Sequence, residues 1–440
     1  MNVSARLRSS IVLLFLLVPL LAACSSKPSN TPSSTIPTAM VISTPDTSSA
    51  AATAVPTTAV TGETPTTAPA PTTAPEAPTA TPEAPTAAPT TVSSLQFGIV
   101  GHLYYTDRDR VLQLVQNAGF DWVRQQVVWR DIEDPVAGIY GWDELDRVVS
   151  TVNAYNLKLL VNIVQSPDAY NPTNGLPADT ASLGNFVEKM AQRYGDKIQA
   201  YEIWNEPNLA HENGGNIVTD DVGHYVEILK VAYTKIKAVN PNALVLAAAS
   251  SSSGVTNPTI ALSDAEFYKA MYTYNSGEVR NYFDVQAVHP GGSANPPDTF
   301  WPDNPSTADG WTNDPTFYFR HVEDVRDWME SYNMADKPIW ITEYGWATAN
   351  DTPGYEFGNQ VSMQQQADYI TGAIQRSFSQ YPWVTNMFLW NINFAVLWGE
   401  RGNPQHEQAS FAILNADWSP RPSYLAIQSL ISEIKQKQGR

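Results

Sequence analysis

From residue 95 onward the chain alternates short apolar runs with longer stretches whose apolar residues recur every three or four positions. The first pattern suits a strand covered on both faces; the second gives a helix one apolar face. Apolar runs at 97–100, 122–127, 158–164, 200–204, 244–248, 283–288, 339–342 and 387–390 predict eight strands. Helical spacing at 107–118, 142–155, 180–194, 221–239, 264–274, 317–333, 362–380 and 423–435 predicts a helix after each. Asp264 and Ser362 stand where N-caps are wanted. Eight strand–helix pairs fit an α/β fold of the (β/α)8 TIM-barrel type. Spacing alone also admits a doubly wound open sheet; the barrel is the expectation.

Before residue 95 the pattern is different. Residues 1–24 read as an export signal, with Arg6 and Arg8 ahead of an apolar run at 11–21. The ending Leu21-Ala22-Ala23-Cys24 resembles a bacterial lipobox, which implies cleavage before Cys24 and lipidation of its sulfur. A plain secretory signal ending near Ala23 is the alternative. Residues 25–94 are rich in Pro, Thr, Ala and Ser and contain no Phe, Trp or Tyr. Such a segment cannot bury enough apolar surface to offset its ordering entropy, so a disordered linker is expected. In polyproline II form, roughly 70 residues would reach at most about 200 Å. The predicted organisation is therefore a lipoprotein signal peptide (1–24), a stalk (25–94) and one barrel (95–440). The protein is expected to be exported and lipid-anchored at a cell membrane, facing outside.

Composition narrows the partners. The net charge is −18 and no Lys/Arg stripe is visible, so a nucleic-acid partner is not expected. Cys24 is the only cysteine, which rules out an intramolecular disulfide and a multi-Cys metal site. No metal-binding or phosphate-binding motif appears, and no cofactor is expected. The serines at 250–253 lack the Gly-x-Ser-x-Gly elbow of a serine hydrolase. A monomer is expected, with the membrane reached through the anchor.

Barrel active sites lie at the C-terminal ends of the strands. The fourth strand closes on Trp204-Asn205-Glu206-Pro207-Asn208, the seventh on Thr342-Glu343-Tyr344-Gly345-Trp346. Each delivers one carboxylate to the same rim. Glycosidic cleavage needs such a pair, one protonated and one ionised. Glu202, earlier on the fourth strand, reads as a barrel-interior residue, and Trp204 as core.

These paired motifs resemble clan A of the retaining glycoside hydrolases, with families 39 and 5 nearest, over about residues 95–430. The resemblance implies that Glu206 is the acid/base, Glu343 the nucleophile, and Asn205 a donor to the sugar 2-hydroxyl. It implies that Arg124 steadies the nucleophile and that Trp390 floors the subsite of the reacting sugar. His289, ending the sixth strand, falls where relatives carry a Tyr or His near the nucleophile. His102 is a candidate contact to substrate hydroxyls. Trp346, with Trp129 and Trp398, is a candidate sugar platform or else core. The function implied is a retaining β-glycoside hydrolase acting by double displacement on a cell-surface or extracellular polysaccharide or oligosaccharide. The alternative is a non-catalytic carbohydrate-binding barrel on the cell envelope.

Overall fold

A computed structural model describes residues 95–303 and 314–440. The expected signal peptide, the linker and the lipidation site Cys24 lie outside the described residues. Eight parallel strands close into a barrel: β1 (Gln96–Val100), β2 (Trp122–Val128), β3 (Lys158–Val164), β4 (Ala200–Ile203), β5 (Leu244–Ala247), β6 (Val285–Val288), β7 (Ile339–Tyr344) and β8 (Val384–Leu389). Each strand pairs with its neighbours in sequence, and β1 closes the ring against β8. The main helices are α1 (Arg108–Asn117), α2 (Asp143–Ala154), α3 (Thr180–Tyr194), α4 (Val222–Val239), α5 (Asp264–Thr273), α6 (His321–Ser331), α7 (Met363–Gln380) and α8 (Pro422–Lys437). The closed ring decides for the (β/α)8 barrel over the open sheet.

Strand alternation divides the side chains into two layers. On β2, Val123 and Val127 face outward into the layer shared with the helices. Trp122 faces inward, packed with Leu160, Ala200, Leu246, Val285, Ala287, Trp340 and Phe388. Three of these rings plug the lower barrel: Trp122 and Trp340 are 5.0 Å apart, and Trp340 and Phe388 5.8 Å. Phe388 fits because β1 has no side chain at Gly98, where a Cβ would meet its ring at 2.3 Å. Above this plug the inward positions turn polar: Arg124, Asn162, Glu202 and Thr342 are all buried.

Helix starts follow local capping chemistry. Ser362 caps α7, accepting from the Gln365 N–H, and Gln365 returns the bond in a capping box. The cap of α5 is Ser263, one residue before the predicted Asp264, which is instead the first helical residue. The predicted helix at 317–333 starts later, at His321, because a separate turn at Pro315–Phe317 precedes it. The pattern did not reveal a small hairpin after β2 (Glu133–Asp134 with Ile139–Tyr140), nor two short helices after β8 (Phe394–Glu400 and Glu407–Phe411). All are too short to carry a periodic signal.

Candidate active site

The site begins with a break in β4. The strand ends at Ile203, and Trp204 and Glu206 both take positive φ, +74° and +42°. Strand alternation would put them on one face. The turn separates them: the Trp204 indole lies in the outer layer and donates to the Glu212 carbonyl at 2.9 Å. Glu206 lies at the mouth of the barrel. Two neighbours secure this conformation. Glu206 N–H donates to the Ala249 carbonyl at 3.0 Å, and Asn162 Nδ2 donates to the Trp204 carbonyl at 2.7 Å. Such positive-φ residues persist only where the surroundings over-determine them. The serine run contributes to that frame. Asn208 accepts from Ser251 N–H and donates to the Ser251 carbonyl, while Ser252 Oγ donates to the His289 carbonyl at 2.6 Å.

A second break lies in β7. Met387 pairs with Ile341 and Leu389 with Tyr344, so β7 spends one residue more than β8 over this step. This bulge lets consecutive residues, Thr342 and Glu343, both reach the barrel interior.

Arg124 joins the two breaks. It is fully buried on β2 and makes three charge-assisted bonds. Nε donates to Glu202 Oε2 at 2.6 Å, Nη1 to Glu343 Oε1 at 2.6 Å, and Nη2 to Asn205 Oδ1 at 3.1 Å. With its oxygen engaged, Asn205 has its amide N–H groups left to donate.

His289 joins them from the other side. Nδ1 stands 3.1 Å from Glu206 Oε1, and Nε2 stands 3.0 Å from Thr342 Oγ1 and 3.9 Å from Glu343 Oε1. The single Thr342 hydroxyl proton is directed to Glu202 Oε1 at 3.0 Å. Nε2 must therefore donate to Thr342, and one further proton lies between Nδ1 and Glu206. That proton sits on the imidazole or on the carboxyl.

Electrostatics follow from this crowding. Burial raises the Glu343 carboxyl pKa above its ordinary value; the charges of His289 and Arg124 pull it down, and Glu206 and Glu202 push it up. Burial by itself would depress the His289 imidazole, but Glu343 and Glu206 outweigh it and hold its pKa above the usual value. Arg124 is likewise pushed up by Glu202 and Glu343, against burial. Glu343 keeps 22% of its side chain exposed and Glu206 10%, so both open on the same mouth.

The remaining expected contacts divide. Trp390 is half-buried at the end of β8, its ring 4.9 Å from Phe394. His102 is half-buried after β1, 6.2 Å from the same Phe394 ring. Burial, helped by Arg401, lowers its pKa to about 4, so the imidazole is neutral at neutral pH. Trp346 does not line the mouth. It is 1% exposed, packed on Phe319 and Tyr369, and its indole N–H is used on the Asn295 carbonyl at 2.8 Å. After the bulge the chain turns it into the wall behind the site, and it offers no sugar platform. Trp129 is buried between Tyr170 and Phe186, and Trp398 is stacked on His406. Sequence reasoning missed Thr342 and Phe394. The first adjoins Glu343 in the motif; the second had no signal. Among the described residues, no group of three His, Cys, Asp or Glu side chains is placed to hold a metal ion.

The family model described as Cellulase (glycosyl hydrolase family 5) matches residues 85–388. Comparison with curated protein sequences gives no significant match. Among solved structures, a family 39 glycoside hydrolase from Bacteroides cellulosilyticus WH2 superposes with a TM-score of 0.55 at 21% identity. The match covers 78% of this chain and 64% of that one, so this chain spans less than two thirds of that relative's length. A GH5_18 structure from Streptomyces cattleya, in complex with GlcNAc, gives 0.55 at 15% identity, over 79% and 82% of the two chains. A fungal β-1,4-galactanase gives 0.52 at 16% identity, over 76% and 99%. At these identities the structural likeness speaks for the fold.

Proposed function

This chain belongs to glycosyl hydrolase family 5, a family of O-glycosyl hydrolases, and from that premise we propose that it is a retaining β-glycoside hydrolase. Its substrate is a polysaccharide or oligosaccharide outside the cell. One observation carries the reading. A single imidazole, His289, touches Glu206 at 3.1 Å and reaches Glu343 at 3.9 Å, so both carboxylates serve one cavity.

In this reading Glu343 is the nucleophile. Arg124 holds Glu343 Oε1 by Nη1, orienting the carboxylate and stabilising its ionised form. Glu206 is the acid/base, and the proton between it and His289 Nδ1 is the one delivered to the leaving oxygen. The glycosidic bond breaks as Glu343 bonds the anomeric carbon. Glu206, now ionised, then takes a proton from water, whose oxygen displaces Glu343 and regenerates both groups. Asn205 Nδ2 donates to the 2-hydroxyl, a contact that strengthens as positive charge grows on the ring. Trp390 floors the reacting sugar.

The stereochemistry of the first product tests this. Proton NMR during hydrolysis of an aryl β-glycoside is expected to show the β-anomer first. Initial release of the α-anomer would mean inversion and remove Glu343 as nucleophile. The substrate panel is chosen broadly, because related folds bear names as different as endoxylanase and β-1,4-galactanase.

The N-terminal reading completes the proposal. Cys24 carries a lipid after export, residues 25–94 are a stalk, and the enzyme acts as a monomer. Fatty-acid labelling lost in Cys24→Ser tests the anchor.

A further inference from the structure

We propose that Glu202, a buried carboxylate four residues before the acid/base, is a positioning residue that sets the tautomer of His289 and so keeps the Glu206 carboxyl able to hold its proton. The proposal rests on the glycosidase reading above and deepens it.

Glu202 does not reach the mouth. It points into the barrel from β4, before the turn that carries Glu206, and is 0% exposed. Both of its oxygens are taken. Oε2 accepts from Arg124 Nε at 2.6 Å, and Oε1 accepts from Thr342 Oγ1 at 3.0 Å. Among the described residues no other group hydrogen-bonds to this carboxylate. An ionised carboxylate has no hydrogen to return, so each contact has a fixed direction.

That direction is passed along. Thr342 has one hydroxyl proton and gives it to Glu202. Toward His289 Nε2, 3.0 Å away, it can only accept. Nε2 therefore carries a proton, and Nδ1 faces Glu206 as the nitrogen free to be bare. An acceptor at Nδ1 favours the protonated Glu206 carboxyl, whereas a fixed donor there would favour the ionised form. A charge on β4 thus acts on the acid/base by way of Thr342 on β7 and His289 at the end of β6.

An amide at position 202 would separate the two arms. Its Oε1 could keep the Arg124 bond, because Arg124 Nε can only donate. Its NH2 would then face Thr342 and donate. The threonine proton would turn to His289 Nε2, and the neutral ring would carry its proton on Nδ1, aimed at Glu206. Arg124 would still hold Glu343 and Asn205. Only a carboxylate serves both arms and leaves the acid its proton.

Two measurements test this. Nitrogen NMR on enzyme labelled at histidine reads the ring, with the His289 signals assigned by their loss in His289→Asn. At pH 8 the wild type is expected to show Nε2 protonated; Glu202→Gln should show Nε2 bare and Nδ1 protonated. For kinetics, β-glycosides of glucose, xylose, mannose and galactose are each made with a phenyl and with a 2,4-dinitrophenyl leaving group. Phenoxide needs the proton of the acid to depart, and dinitrophenoxide does not. Glu202→Gln should lower kcat/KM on the phenyl glycoside about 100-fold, a loss about 30-fold greater than on the dinitrophenyl one. Equal losses on both substrates overturn the proposal, because Glu202 would then only frame the barrel. A wild-type Nε2 without its proton also overturns it, and that spectrum decides even if Glu202→Gln does not fold. A wild type that cleaves no glycoside defeats the glycosidase reading, while the ring tautomers in the two proteins still decide for or against Glu202.

Discussion

His289 Nδ1 stands 3.1 Å from Glu206 Oε1, and one proton joins the two atoms. Because Thr342 fixes Nε2 as a donor, Nδ1 is the atom that exchanges with Glu206. The raised pKa of His289 keeps this proton available toward higher pH.

Replacing His289 by Asn removes that store. At neutral pH kcat/KM is expected to fall about 100-fold, the lower range for a lost acid–base contribution. The basic limb of the pH profile should move to lower pH, since the shared proton departs sooner without the imidazole. Stability carries the same sign. A raised folded pKa stabilises below the unfolded value of about 6.5 and loses that contribution as pH rises through the folded pKa. Profiles from pH 4 to 9 check both. An unmoved basic limb would exclude His289 from the acid's proton economy.

Arg124→Lys is expected to be far from conservative. A lysine has one charged point and cannot meet Glu202, Glu343 and Asn205 in the guanidinium geometry. Leaving Glu202 buried without its partner should cost about 3 kcal/mol of stability, read as a shift in the urea midpoint. Turnover of an aryl glycoside should fall about 100-fold or more as Glu343 and Asn205 lose their common anchor.

Thr342→Val keeps the shape of the side chain and deletes the hydroxyl between His289 Nε2 and Glu202 Oε1. Two buried polar atoms lose their partner, at about 1–3 kcal/mol each. With Nε2 no longer obliged to donate, the ring can adopt the other neutral tautomer. Expected are lower thermal stability and kcat reduced about tenfold, with KM nearly unchanged. Nitrogen NMR of the imidazole reads the tautomer directly.

Away from the mouth, His321 is buried between Asp264 Oδ2 at 2.6 Å and Asp324 Oδ2 at 2.8 Å. Burial opposes its charge, but the two aspartates prevail and raise its pKa to about 10. The stabilisation is complete below about pH 6.5 and is lost as pH rises through about 10. His321→Ala should destabilise the barrel by about 3–5 kcal/mol at pH 7, leaving Asp264 buried and unpaired. Denaturation from pH 6 to 10.5 should show the wild type approaching the variant at the alkaline end.

The sequence by itself determined the strands, the helices and the rim, while the pairing of β1 with β8 decided for a closed barrel over an open sheet. Eight apolar runs separated by helical spacing leave few topologies, and strand ends name the residues that reach the mouth. The paired motifs at Glu206 and Glu343 follow, with Asn205 beside the first, because each lies where a strand that the pattern located comes to its end; Arg124, the third of seven residues in β2, was placed by the family resemblance. Tertiary structure decided which way side chains turn wherever the two-residue alternation fails. Trp204 and Glu206 part because of positive φ, and Thr342 and Glu343 share a face because β7 bulges against β8. Trp346 looked like a platform by its place in the motif, yet the chain beyond the bulge carries it into the wall. Phe394 gained its position from a helix of seven residues, too short to leave a periodic signal. Local pattern fixes how often a residue faces inward; only the packing of distant strands fixes where that rhythm is broken.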